Sequence, residues 1–193
     1  MRMESLWGAR DEALARTLLA PERADLARDA RRFAAGLALS SLFGAALGLR
    51  FGAFSMAAHA AGVPVAFLAV ALLATPAFFV GMLHGGFEID ARVLASSIAR
   101  GAATAGLVLA GLSPALALFA LSAEESGSLG LLAAVGLALA GVLGHRATFR
   151  SLPEVAGLHG ARFLLFRIAF GSFAAVLAAR VWWLVLPVFG GRS

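Results

Sequence analysis

The sequence predicts an all-α fold: a polytopic transmembrane bundle of about five helices, with amphipathic helices lying at the membrane interface. Three observations predict it. Long apolar stretches occupy 33–49, 61–83, 101–121, 128–144 and 163–189, and only the last contains charges, at Arg167 and Arg180. A helix needs roughly 20 apolar residues to cross bilayer hydrocarbon. Hydrophobic residues make up 61% of the 193, and the mean hydropathy is +0.88, both beyond the range of a soluble domain. Arginines also cluster in alternate connections, the pattern that sets membrane topology.

The elements follow in order. Residues 1–32 form a charged segment, and 33–193 form the membrane domain. Within the first segment, Glu12 and Arg16 are spaced i,i+4, and Leu14, Leu18 and Leu19 share one helical face. Residues 4–20 therefore read as an interfacial amphipathic helix. A partner-binding or simply solvated helix fits the same pattern. Pro21-Glu22 suits the start of a second helix, because proline fits a first turn and acids favour its positive end. That helix is expected to run through Arg28, Arg31 and Arg32 into the first span, which serves as the insertion signal.

The first span ends at Arg50. Residues 50–62 are semi-polar and are expected to lie along the outer surface. Pro64 begins the core of the second span, and Gly85-Gly86 ends it. Residues 87–100 read as another interfacial helix, with Phe87, Val93, Leu94 and Ile98 on its apolar side. The third span ends before Glu124-Glu125. The fourth follows after a few residues, so the two form a tight antiparallel hairpin. Residues 145–162 read as a polar, partly amphipathic connector. The fifth span closes the chain near Trp182-Trp183.

With the N-terminus inside, Arg50, Arg180 and Arg192 fall outside and the remaining thirteen of sixteen arginines fall inside. This predicts a cytoplasmic N-terminus and a periplasmic C-terminus. The net charge of +5 then reflects topology rather than nucleic-acid binding. The chain has no Cys, which excludes disulfides and thiolate chemistry. It has no Lys either, which excludes a Schiff base and a lysine-dependent phosphate loop. Missing Lys, Asn and Tyr share AT-rich codons, so a GC-rich bacterial genome is the expected source, and the inner membrane the expected location.

Candidate sites are few. Gly44-x3-Gly48-x3-Gly52 and Gly81-x3-Gly85 match the small-xxx-small pattern that lets helix backbones approach. They serve either packing within the chain or a dimer seam. Pro76 and Pro114, each preceded by a hydroxyl residue (Thr75, Ser113), are candidate kinks. Paired broken helices also occur at transporter sites. Arg146, Arg150, Arg162 and Arg167 form a basic inner patch suited to anionic lipid. Arg180 lies either at mid-depth, where it needs a partner or bound anion, or at the interface beside the tryptophans. His84, Glu88, Asp90, His145 and His159 share the inner side, without the spacing of a metal motif. No nucleophile elbow, zinc-peptidase helix or potassium filter is present.

In layout the chain resembles the Yip-type family of small integral membrane proteins. The resemblance rests on Leu18-Leu19-Ala20-Pro21 before the first span and on Val63-Pro64 through Thr75-Pro76-Ala77-Phe78-Phe79 in the second. It is also similar to uncharacterised bacterial polytopic proteins whose last span ends in a Trp, Pro, Phe cluster, here Trp183, Pro187 and Phe189. Where those are expected to carry Arg before the Pro, this chain has Leu186. The resemblance implies a role in membrane organisation or as a partner of larger assemblies.

The expected function is a non-enzymatic scaffold, anchor or accessory subunit without a cofactor. Its partners are the bilayer, anionic lipids included, and either another protein or further copies of itself. The alternative is a small oligomeric channel or transporter for an anion or lipid. A third possibility is a lipid-acting enzyme built on the inner His and carboxylate groups.

Overall fold

Each apolar stretch carries a helix, and most of the helices outrun the stretch that marks them. The computed structural model describes residues 25–87, 89–122, 126–156 and 160–186. In chain order these form α1 (Leu26–Gly48), a 3-10 turn (Leu49–Phe51), α2 (Ala53–His84), α3 (Ala91–Ser122), α4 (Ser126–Ala156) and α5 (Ala161–Val185). All five are long and apolar enough to cross a membrane. No strand occurs among the described residues. The expected segment 4–20 lies outside them.

Four expectations change. Helix α1 starts at Leu26 rather than at Pro21-Glu22, because Asp25 is extended and caps it, accepting from the Ala27 and Arg28 amides at 3.0 and 3.3 Å. Residues 50–62 do not lie along the surface. The chain reverses at Gly52, and the helix resumes at Ala53. Residues 87–100 do not form a separate helix either. Gly86 turns the chain at φ +72°, Asp90 accepts from the Arg92 amide at 2.8 Å, and α3 then runs unbroken from Ala91 through the third span. The 145–162 connector is helical as far as Ala156. The physical reason is common to all four. Hydropathy registers which residues tolerate lipid, whereas backbone hydrogen bonding propagates a helix through polar residues until a cap or glycine stops it.

Gly52 and Gly160 sit at φ +93° and +102° with ψ near 180°, a region essentially reserved for glycine. Each immediately precedes a helix. No side chain crowds either position, so the residue type answers backbone conformation alone.

Helix α1 occupies the middle, flanked by α2 and α3, with α4 beyond α3 and α5 beyond α2. Two apolar clusters hold the bundle. The larger joins Phe43 and Leu47 of α1 to Val63, Leu109, Leu116, Leu129 and Leu137, and Leu186 closes it. The smaller is aromatic. Phe78 makes edge-on contacts with Phe149, Phe166 and Phe170 at centroid distances of 5.3, 5.4 and 4.6 Å. It therefore ties α2 to α4 and α5.

The outward faces are apolar as well. Leu72, Leu107, Leu118, Leu131, Val176 and Leu184 are all at least 64% exposed. Water tolerates no continuous apolar face of that extent, and lipid solvates it well. The chain is a multi-pass membrane protein in contact with the bilayer.

Candidate functional site

Small residues determine where the helices cross. A methyl group added at Gly36 would lie 2.5 Å from the Ala102 carbonyl oxygen, and one at Gly106 would strike the carbonyl of Gly36. Helices α1 and α3 thus touch backbone to backbone. Gly44 faces the His59 carbonyl in the same way, and a methyl added at Gly48 would lie 2.5 Å from the Met56 Cα, so both pack α1 on α2. Gly101 and Gly144 face each other across α3 and α4. In lipid such close approach replaces the hydrophobic drive available in water. Gly81 receives the edge of the Phe166 ring of α5, which would lie 2.8 Å from a methyl added there, while Gly85 abuts the nearby Phe87 ring at the end of α2. Gly52 contacts nothing and makes the turn already described.

Gly36, Gly101, Gly106 and Gly144 were not singled out from the sequence. A signal existed in the series Gly36-x3-Ser40-x3-Gly44-x3-Gly48 and Gly136-x3-Ala140-x3-Gly144-x3-Thr148, each a full stripe rather than an isolated pair.

The prolines lie inside α2 and α3. Beside them, the Thr75 hydroxyl donates to the Ala71 carbonyl at 2.6 Å, and Ser113 to Leu109 at 2.8 Å. Both hydroxyls thus supply a hydrogen bond to the backbone of the turn that proline weakens.

Between the helices lies a cavity of about 170 Å³, partly open and mostly apolar. All five helices contribute, through residues such as Leu37, Ala71, Ala102, Thr148 and Phe170. Its polar groups are few: Thr75, Thr148 and His145. The two threonines use their hydroxyls on their own helices, at Ala71 and Gly144. The His145 ring lies against Gly171 of α5, with Nε2 3.1 Å from where a methyl would stand, and is tilted against Phe149 with ring centroids 4.5 Å apart.

The ends of the bundle differ in charge. Arg28, Arg31, Arg32, Arg92, Arg146, Arg150, Arg162 and Arg167 gather at one end, and Arg50 and Arg180 approach the other. Arg146, Arg150, Arg162, Arg167 and Arg180 are all exposed. Helix α5 ends at Val185, so Arg180 stands about 8 Å from its terminus, level with Trp182 and Trp183.

His84 and Asp90 are exposed and His145 lies deeper in the bundle, while Glu88 and His159 fall outside the described residues. Among the described residues no three metal-ligating side chains come together. A buried histidine escaped the sequence reading. His59 is 3% exposed, its Nδ1 is 2.8 Å from the Ser55 carbonyl, and its Nε2 has no partner among the described residues. Leu186, standing where the resemblance expects Arg, is 1% exposed and packs 3.2 Å from the Gly62 position. A guanidinium there would be buried among apolar groups.

The fold and site define a class: a polytopic helical membrane protein with an apolar cavity inside its bundle. No protein-family model, curated protein or solved structure matches the chain.

Proposed function

We propose that the protein is a non-enzymatic anchor or accessory subunit of a larger membrane assembly, seated in a bacterial inner membrane with its N-terminus in the cytoplasm and its C-terminus in the periplasm. One observation carries this reading. In α5 only Phe163 and Val181 are buried, against eleven residues of α3. The glycine faces at Gly36, Gly44, Gly48, Gly101, Gly106 and Gly144 are already occupied within the chain, which leaves α5 as the helix with most surface to offer a partner. Phe173, Val176, Trp183 and Leu184 line that surface. Aromatic and aliphatic side chains of this kind supply the contact area of helix–helix association. The five-span layout shared with Yip-type proteins points the same way.

Native mass spectrometry of the tagged protein, gently extracted from its own membranes, tests the proposal. A defined complex with a different membrane protein, lost on Val176→Trp with Leu184→Trp, is the expected result. A pure homo-oligomer would overturn it and favour a small channel or transporter for an anion or lipid, the reading to which Thr75-Pro76 beside the cavity lends support.

A further inference from the structure

We propose that the cavity is a binding site for a segment of one acyl chain of an anionic glycerophospholipid, whose headgroup rests on Arg146 and Arg167. This rests on the cavity and its surroundings and is independent of any protein partner on α5.

The shape of the cavity comes first. Its volume of about 170 Å³ is close to that of an apolar protein cavity of about 150 Å³ that takes up benzene. Its wall runs along α2 from Phe67 to Phe78, which is about 16 Å of helix. A space this long for its volume fits a chain better than a ring. The lining is almost wholly apolar, and both threonine hydroxyls bond their own helices. Water entering would find few polar partners, so a hydrocarbon occupant is favoured.

Access comes second. Helices α4 and α5 scarcely touch. They meet where His145 and Phe149 face Phe163, Phe166, Phe170 and Gly171. Both helices are otherwise clad in exposed apolar side chains, such as Val142 and Leu165. A chain already in the bilayer reaches this seam without crossing water.

Charge comes third. His145, Thr148 and Phe149 line the cavity, and Arg146 and Arg150 alternate with them along α4, exposed. From α5, exposed Arg167 stands one helical turn before Gly171, the position against which the His145 ring lies. Guanidinium groups from two helices thus flank the seam. Arginine pairs with phosphate through two parallel N–H donors. An anionic phosphodiester with its chain in the cavity satisfies both features at once.

The test uses the full-length protein in phosphatidylcholine vesicles doped with phosphatidylglycerol bearing a diazirine midway along one chain. After irradiation, labelled peptides are mapped by mass spectrometry, with a phosphatidylcholine bearing the same photoreactive chain as reference. The expected result is labelling on the cavity faces of 67–78 and 141–149, with phosphatidylglycerol preferred. Ala71→Phe, which fills the cavity, lowers that labelling about tenfold, equivalent to about 1.4 kcal/mol of lost binding. Leu72→Phe, 65% exposed on the same turn, leaves it unchanged. Should Ala71→Phe fail to give a monodisperse helical protein, Ala71→Met replaces it. Arg146→Gln with Arg167→Gln removes the phosphatidylglycerol preference while chain labelling persists. Labelling confined to outward residues, cavity labelling indifferent to Ala71 substitution, or equal labelling by the two lipids would each overturn the proposal.

Discussion

Helices α1 and α5 are held by opposite means. Helix α1 meets its neighbours through backbone, at Gly36, Gly44 and Gly48, and eight of its residues are buried. Helix α5 meets α2 through side chains, chiefly Phe163, Phe166 and Phe170 at one end and Leu186 just past the other. The contrast shows two ways to join helices where lipid is as apolar as leucine. Backbone approach gains many dispersion contacts and leaves no slack. An aromatic cluster reaches across a wider gap and leaves a cavity beside it.

Substitutions should separate the two modes, beginning with the most damaging. Gly106→Leu sets a side chain against the Gly36 carbonyl, which has no room to retreat. The expected loss exceeds the roughly 1–3 kcal/mol of ordinary overpacking, and thermal denaturation in detergent should show no cooperative folded state. Gly111→Leu, on the same helix in open space, should be nearly neutral. Survival of Gly106→Leu with an unchanged melting curve would break the backbone-contact account.

Phe78→Ala should come next, because the ring links three helices. Truncating a buried Phe removes about 3–5 kcal/mol in water-soluble cores, and a loss toward the low end is expected in lipid. The chain has no cysteine, so an engineered Gly62→Cys, Leu186→Cys pair reports α5 docking on a clean background. Its disulfide yield should fall in Phe78→Ala and persist in Leu72→Ala.

Gly52→Ala should cost about 1–3 kcal/mol, since alanine avoids φ +93° with ψ 173°. Circular dichroism in detergent during urea titration would measure this, and an unaltered midpoint would contradict the backbone argument. Arg180→Ala should be the mildest, shifting stability by less than about 0.5 kcal/mol, as expected of an exposed side chain. A collapse of folding on that change would place Arg180 in a buried contact instead of at the interface.

The bundle was legible because each span is a run of residues that only lipid or a core accepts. The glycine contacts at Gly44 and Gly48 were legible because the i,i+4 spacing is itself the geometry of a helix face. Gly52 and Gly85 shared the spacing but stand at helix ends, where spacing carries no facial meaning. Helix ends were the least legible elements, since Asp90 and Asp25 act by capping and hydropathy is blind to a cap. The cavity was illegible altogether. It comes from the mismatch between tight crossings at Gly36 and Gly101 and the wider aromatic spacing at Phe78, a property of five helices together.

Helix α2 has one further implication. Its 32 residues carry no Asp, Glu or Arg, yet they extend about 48 Å at 1.5 Å per residue, against a hydrocarbon layer about 30 Å deep. Its neighbour α1 is only 23 residues long. Two adjoining helices of such unequal length cannot both match one membrane thickness. The longer must lean, bend at Pro64 and Pro76, or draw the lipid around it into a thickened annulus. Membrane thickness thereby becomes a mechanical input to this protein, acting through α2 on α5, which is fastened to it.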